Sequence, residues 1–218
     1  MKALEIKDKI QYGLAIAYNV SGDDAILKEY VVKSICNVLP VEERDFSITT
    51  IEGVVPVTDI INTAQTASFF AGSKRILIVK NYIKDVKGQD NEKLLEYVQD
   101  PNDDCTIIFV DCGKSFKAIE DYCVPVDCNK ATYVDLANYV KKILNAKGYT
   151  IDEKKYPGDA LKELIERCDR DMGKLTQELN KLIIYCNQTN HIKLTDVEDI
   201  VCMNTENNVM VQQGRNLS

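Results

Sequence analysis

Residues 75–110, RILIVKNYIKDVKGQDNEKLLEYVQDPNDDCTIIFV, contain two short apolar runs with a helical pattern between them. The runs at residues 75–80 and 106–110 are continuous, which is typical of strands that are buried on both faces. Residues 91–98 have helical spacing, and this helix is predicted to stop before Pro101. A strand, a helix and a second strand of this kind predict a parallel βαβ unit with a right-handed crossover.

The same alternation continues on both sides of this unit. It predicts an α/β domain over residues 1–130, in which a parallel sheet is sandwiched by helices. The further strands are predicted at residues 14–20, 46–51 and 123–127, and the further helices at residues 26–38, 57–67 and 115–122.

The strand pattern disappears after Lys130, where a domain boundary is predicted. Thr132 and Asp135 form a capping box for the helix that follows. We therefore expect a small helical bundle, or lid domain, over residues 131–204. Residues 205–218 are polar and unpatterned, and are predicted to form a tail or the start of a further domain.

The bundle is expected to have one apolar core. Leu175, Leu179 and Leu182 recur at spacings of four and three, so they lie on one face of a helix. Thr195 and Glu198 are predicted to form the capping box of the last helix.

Composition and charge exclude several classes of protein. The 218 residues include 27 Lys and Arg against 34 Asp and Glu, a net charge of −7, which argues against a stand-alone nucleic-acid binder. No apolar run approaches the ~20 residues needed to span a bilayer. The N-terminus is charged and lacks the apolar segment of a signal peptide, so a cytoplasmic protein without a membrane partner is predicted.

The cysteines are expected to be reduced and to hold no metal. Eight cysteines and one histidine occur, and no Cys-x-x-Cys pair is present. Cys123 and Cys128 leave open a metal or redox module, although no second pair follows at zinc-like spacing. Cys–His catalysis is not expected, because His191 is the only histidine.

A parallel sheet followed by a helical domain resembles the AAA+ (RecA-like) module, in which a nucleotide site would follow the first strand. ATP binding requires G-x-x-x-x-G-K-[ST] after the first strand. Residues 20–27 read VSGDDAIL, with one glycine and neither the lysine nor the hydroxyl. Asp23 and Asp24 place negative charge where phosphate would bind. We expect no ATP hydrolysis and no cofactor, and interpret Asp111 as a turn residue.

The connection between the second helix and the third strand contains two adjacent aromatic residues. Residues 66–75 read TASFFAGSKR, and Phe69 and Phe70 lie where the helix should end. Adjacent residues on such a connection do not easily face one core. One alternative is that they pack beneath the loop, and the other is that they form an exposed pair that docks in a partner's pocket.

Five stretches resemble the delta subunit of the bacterial DNA polymerase III clamp loader. Two of them, residues 171–185 (DMGKLTQELNKLIIY) and 192–201 (IKLTDVEDIV), are similar to its helical second domain. The others are similar to its N-terminal domain: residues 16–35 (IAYNVSGDDAILKEYVVKSI), 45–46 (DF) and 66–81 (TASFFAGSKRILIVKN).

The resemblance implies an AAA+ fold without a working ATP site, in a non-catalytic subunit of the polymerase III holoenzyme. In that family a hydrophobic pair after the second helix inserts into a pocket of the sliding clamp and helps to open the ring for loading on primed DNA. Here the pair corresponds to Phe69 and Phe70, preceded by Ala67 and Ser68. An AAA+-like ATPase with a degenerate site and a non-catalytic adaptor remain the alternatives.

Two departures from the family pattern affect the expected partners. Only Lys114 and Lys117 remain of a basic stretch that follows the fourth strand in relatives. The collar domain that joins the loader subunits would begin near Ser218, so a truncated chain is expected. The resemblance therefore implies contact with other loader subunits through an absent collar, and with DNA only in the assembled complex.

Overall fold

The structure is a computed structural model. It describes residues 1–53, 55–70, 72–82, 89–112, 119–153 and 158–201, with the backbone alone at 89–91. The chain forms two compact units, Met1–Lys130 and Ala131–Ser218. Two sequence predictions lie outside the described residues, namely the lysines at 114 and 117 and the tail at 205–218, and of the helix predicted at 115–122 only residues 119–122 are described.

The first unit is built on a parallel sheet. Its strands are β1 (Ala17–Ser21), β2 (Ile48–Glu52), β3 (Arg75–Lys80), β4 (Cys105–Val110) and β5 (Val124–Asp127). They lie in the order β2-β3-β4-β1-β5, and each pair of neighbours is parallel. The predicted fold class, an AAA+-like parallel sheet between helices, is confirmed.

Helices cover both faces of this sheet. They are α1 (Ile6–Ile10), α2 (Ala25–Cys36), α3 (Arg44–Ser47), α4 (Val57–Gln65) and α5 (Gln89–Gln99). On one face, α4 and α5 pack against Leu77, Val79 and Phe109. Ile76 and Ile78 alternate with these residues and are also buried, so β3 is covered on both sides, as its continuous apolar sequence predicts.

The second strand and helix are shorter than predicted. Strand β2 begins at Ile48 because residues 44–47 form α3, which the Arg44 guanidinium ties to the chain by donating to the carbonyls of Leu39 and Asn37. Helix α4 ends at Gln65, and its C-cap residue Thr66 is extended. Helix α1 was not predicted.

The second unit is mainly helical. Its elements are α6 (Tyr133–Ala146), β6 (Thr150–Ile151), α7 (Ala160–Arg167), α8 (Met172–Tyr185), β7 (His191–Ile192) and α9 (Leu194–Ile200). The short strands β6 and β7, which the sequence did not predict, pair in parallel. Leu175, Leu179 and Leu182 of α8 are buried together with Leu161 and Leu164 of α7.

One of the two predicted capping boxes is confirmed and the other is wrong. The Thr132 hydroxyl accepts from the Asp135 N–H, and the Asp135 carboxylate accepts from the Thr132 N–H. The last helix begins one residue before Thr195, and there the Asp196 carboxylate accepts from the Lys193 N–H at 2.7 Å. No helix in the described ranges is long and apolar enough to cross a membrane.

Candidate functional site

Phe69 and Phe70 lie in the connection between α4 and β3. Phe69 is 74% exposed and Phe70 is half-buried. Their rings meet edge to face, with centroids 5.1 Å apart. Of the two residues predicted to act with them, Ala67 is exposed and Ser68 is half-buried. The exposure of Phe69 and the partial exposure of Phe70 fit a surface contact better than packing of both rings beneath the loop.

A third ring, Phe46 of α3, joins this pair and completes what we call the aromatic cluster (Phe46, Phe69 and Phe70). Phe46 is 61% exposed. Its ring stacks on that of Phe69 at 5.3 Å and 20°, and meets the edge of Phe70 at 6.0 Å and 79°. Both separations are typical of aromatic pairs. Three of the five phenylalanines of the chain thus share one solvent-accessible cluster, which is typical of an interaction surface.

The strand order explains why these residues meet. Phe46 comes two residues before β2, and Phe69 comes shortly before β3. Because β2 and β3 are parallel neighbours, with Ile48 paired to Ile76, their amino ends lie at the same edge of the sheet. The sequence analysis placed Phe46 in a predicted strand and therefore did not predict its contact with Phe69. Knowledge that β2 and β3 are neighbours would have predicted this contact.

The buried side chain of Arg75 fixes the start of the aromatic connection. Arg75 is 8% exposed, and its Nη1 donates to the carbonyls of Thr63 and Thr66, at 2.8 Å each. Carbonyls at a helix C-terminus have no intrahelical partner, and a cation there is favoured by the helix dipole. The first residue of β3 therefore holds the end of α4 and the beginning of the loop.

The turn before β4 forms further hydrogen bonds with the end of α4 and with the start of β3. The Asn102 Nδ2 donates to the Ala64 carbonyl at 3.2 Å, and so satisfies a further carbonyl of the last turn of α4. The Arg75 N–H donates to the Asp104 carbonyl at 2.6 Å, and the Lys74 Nζ donates to the Asp103 carbonyl at 2.8 Å. Hydrogen bonds thus hold both ends of the connection between α4 and β3.

Ser68 directly precedes the exposed residue Phe69 in the connection between α4 and β3. Its Oγ is buried and has no hydrogen-bond partner within the described ranges.

A phosphate loop would lie at the opposite, carboxyl ends of the strands, where β1 leads into α2. The Asp24 carboxylate accepts from the N–H groups of Ile26 and Leu27, at 2.9 and 3.0 Å, and caps α2. In a phosphate loop, such N–H groups face the phosphates. Asp24 supplies the negative charge itself, so the donors at this helix end are already used.

Backbone atoms fill the remaining space around the connection between β1 and α2. Only residues 22–24 connect β1 to α2. Gly22 has φ of +144°, and a Cβ atom there would collide with the backbone of Cys128 and Asn129. The Cys128 carbonyl accepts from the Asp24 N–H at 3.0 Å. The loop is therefore too short and too closely covered to surround a phosphate.

A lysine that the sequence reasoning missed lies one turn further on. Gly22 and Lys28 have the spacing of the first glycine and the lysine of the phosphate-loop motif, but Lys28 is already the fourth residue of α2. Its Nζ lies 2.7 Å from Oδ2 of Asp111, the residue after β4. Asp111 has φ of +55°, which agrees with its interpretation as a turn residue. The ion pair neutralises the charge that a phosphate would need.

A cavity of about 390 Å³ lies beside this ion pair. Its lining includes the carboxylates of Glu29 and Glu52 and the ammonium group of Lys80, in addition to Lys28 and Asp111. Three carboxylates against two lysines make the wall slightly negative. That balance does not suit a polyphosphate ligand.

The cysteines of the described ranges are free thiols, and six of the seven are buried. Burial raises the pKa of Cys112 to about 11, and the pKa values of Cys123 and Cys128 to about 12. Protonated thiols are poor nucleophiles and poor metal ligands. Within the described ranges, no group of three or more His, Cys, Asp or Glu side chains has an arrangement that could hold a metal ion.

Comparison with known proteins gives three results. Residues 18–125, about half of the chain, match the family model for DNA polymerase III, delta subunit. No curated protein sequence matches significantly. Among solved structures, the chain is similar to the Bacillus subtilis DNA clamp loader delta protein YqeN, with a TM-score of 0.75 and 19% identity over 98% of this chain. The matched region is 66% of that protein, so the chain spans slightly less than two thirds of its length.

A weaker similarity extends to the Thermotoga maritima RuvB Holliday junction branch migration motor. The TM-score is 0.43 at 12% identity, over 99% of this chain and 67% of that one, which is too low to support an inference. The delta-subunit match, in contrast, extends from β1 to β5 and includes the aromatic cluster and the Asp24 cap. The chain belongs to the family of DNA polymerase III delta subunits.

Proposed function

We propose that this chain is the clamp-binding part of a clamp-loader delta subunit and helps to open the sliding clamp during replication. The observation that carries the proposal is the aromatic cluster, two of whose rings, Phe69 and Phe70, lie on a loop held at both ends in a chain of this family. Ala67, Ser68, Phe69 and Phe70 are proposed to enter a hydrophobic pocket of the clamp.

The energetics of such a contact are favourable. Apolar area that leaves water contributes ~25 cal/mol per Å², and aromatic side chains are frequent hot spots of protein interfaces. Phe69 exposes most of its side chain in the free protein, so its burial in a pocket would contribute about 1.5–3 kcal/mol to binding, which is roughly ten- to a hundredfold in affinity. Because Arg75 and Asn102 already fix the loop, little backbone order has to be gained on binding.

Ring opening follows from differential affinity. A binding partner shifts an equilibrium between closed and open forms only by as much as it binds one form more tightly. We propose that the clamp pocket fits the connection of residues 66–74, which we call the aromatic loop, better in the open clamp than in the closed one, so that binding and opening are coupled.

The Asp24 cap and the Lys28–Asp111 ion pair support a subunit that binds no ATP of its own. Other subunits of the loader would then supply ATP turnover, and DNA would be contacted in the assembled complex in the cytoplasm.

The test is a titration of the purified chain with the sliding clamp of the same organism. The double change Phe69→Ala and Phe70→Ala should weaken binding ~100-fold or more, which corresponds to about 2.7 kcal/mol. Tyr12→Ala is the matched control, since Tyr12 is an exposed aromatic residue (87%) that precedes β1, and β3 and β4 separate β1 from β2. This control should bind the clamp as the unmodified chain does.

Thermal unfolding of the same variants separates contact from folding. A folded double variant that binds the clamp at full affinity would contradict the proposed contact. Should the double variant unfold, the single change Phe69→Ala decides the question, because a side chain that is 74% exposed contributes little to stability.

A further inference from the structure

We infer that Phe46 is a positioning residue of the clamp-contact surface, whose ring holds the Phe69 ring in the orientation that enters the partner. The inference rests on the proposed function for the identity of the partner. The contact between the two rings is independent of that proposal, because it is present in the free chain.

The geometry supports positioning by stacking. The rings of Phe46 and Phe69 are nearly parallel, at 20°, with centroids 5.3 Å apart. Phe69 nevertheless stays 74% exposed, so Phe46 covers one side of the ring and leaves most of it free. A partner can therefore bury Phe69 without displacing Phe46.

The base of Phe46 is fixed. Its neighbour Ser47 is buried, and the next residue, Ile48, is paired with Ile76 in the sheet. On the other side, the Arg44 Nε donates to the Leu39 carbonyl at 3.0 Å. The backbone that carries the Phe46 ring is thus held in place on both sides.

Phe69 has less local support. It lies in an irregular connection, and Ala67, two residues earlier, is exposed. An exposed phenylalanine on such a segment samples several rotamers, and this freedom is lost on binding. Stacking against Phe46, with Phe70 at the edge of both rings, selects one arrangement before the partner arrives. Phe46 therefore raises affinity by reducing the freedom of Phe69.

A double-mutant cycle with the sliding clamp tests this role. Phe46→Ala alone should weaken clamp binding about three- to tenfold, the range expected from an aromatic pair. In a Phe69→Ala background the same change should have no further effect, because the ring that it positions is gone. Phe46→Tyr keeps the ring and should bind like the unmodified chain, as should the control Tyr12→Ala.

A spectroscopic measurement tests the positioning without any partner. The chain contains no tryptophan, so Phe69→Trp introduces a single tryptophan, whose fluorescence can be excited selectively, into the aromatic cluster. Adding Phe46→Ala to Phe69→Trp should lower the fluorescence anisotropy of the free protein, because the indole loses its stacking partner. The thermal midpoint should stay within about 2 °C, since Phe46 is largely exposed.

The outcomes separate this inference from the proposed function. Unchanged anisotropy, or a Phe46→Ala effect that is fully additive with that of Phe69→Ala, overturns the positioning role. Loss of binding in the Phe69→Ala and Phe70→Ala variant together with full binding by Phe46→Ala keeps the proposed function and overturns the inference. Full binding by that double variant overturns the proposed function, and with it the role of Phe46 in clamp binding.

Discussion

The Nη1 of Arg75 donates to the carbonyl of Thr66 at 2.8 Å, and thereby joins the first residue of β3 to the first residue of the aromatic loop. The same nitrogen donates to the Thr63 carbonyl within α4. One buried guanidinium group thus ties together a helix end, a loop and a strand. The aromatic pair is exposed on a connection whose two ends cannot move apart.

Replacement of Arg75 by methionine should lower the free energy of unfolding by about 2–4 kcal/mol, because two carbonyls lose a charged donor in a buried place. Denaturant unfolding monitored by circular dichroism measures this loss. Lys74→Met is the matched control: Lys74 donates to the Asp103 carbonyl at 2.8 Å from an exposed position, and its loss should cost less than about 0.5 kcal/mol. Equal losses for the two variants would show that the Arg75 contacts do not hold the loop.

Gly22→Ala should destabilise the first unit strongly. Gly22 combines a positive φ with a collision between an added Cβ and the Cys128 backbone. Gly13 has a comparable φ of +121° but nothing within 4 Å of an added Cβ, so Gly13→Ala should show the backbone strain alone, about 1–3 kcal/mol. The Gly22 variant should lose at least ~2 kcal/mol more in a urea titration. Similar midpoints for both would mean that the chain around Cys128 moves aside easily.

ATP with magnesium should not raise the thermal midpoint of the chain. A ligand at 100 times its Kd stabilises a protein by about 2.7 kcal/mol, which is a shift of more than about 5 °C at this size. Here Asp24 occupies the helix end and Lys28 is paired with Asp111. Scanning fluorimetry with millimolar ATP and magnesium measures the midpoint, and a clear rise would contradict the absence of a nucleotide site.

Leu179→Ala in α8 should cost about 2–5 kcal/mol, as other large-to-small changes at fully buried positions do. Ile184 lies on the same helix but is 72% exposed, so Ile184→Ala should change the free energy of unfolding by less than about 0.5 kcal/mol. Chemical unfolding of both variants compares the two faces of α8. The prediction fails if the two losses are the same.

The buried thiols predict that stability falls in alkaline solution. The folded chain holds the pKa values of Cys123 and Cys128 at about 12, above their ordinary value near 9. Above about pH 9 the unfolded chain releases thiol protons that the folded chain keeps, so the free energy of unfolding decreases as the pH rises toward 12. Urea unfolding should show a constant value from pH 7 to 8 and a loss of about 1 kcal/mol or more by pH 10.

The change Cys123→Ala should reduce the slope of this alkaline loss, although it also lowers stability at pH 7 through a small cavity. A slope that is the same with and without the thiol would assign the alkaline effect to other groups.

Local patterns in the sequence predicted the elements of the sheet well. Arg75–Lys80 was placed without error because a strand that is covered on both faces must be apolar throughout. The edge strand β2 was placed two residues early, since its alternating exposure gives no sharp start. The capping box at Thr132 was found because it is a strictly local hydrogen-bond pattern.

Contacts between distant segments were the part that the sequence could not provide. Phe46 and Phe69 are 23 positions apart, and they meet only because β2 and β3 are neighbours. Lys28 was overlooked because its partner, Asp111, is 83 positions away. In both cases the contact depends on the order of the strands in the sheet, and the local periodicity of the sequence does not predict that order.

The aromatic cluster and the closed phosphate site lie at opposite ends of the strands. Strand β3 has six residues, and at about 3.3 Å per residue it separates these two places by ~20 Å. A macromolecule that binds at the amino ends of the strands leaves the carboxyl ends free to bind a second macromolecule. The sheet therefore separates a contact made by the aromatic cluster from the Lys28–Asp111 ion pair at the other end of the strands.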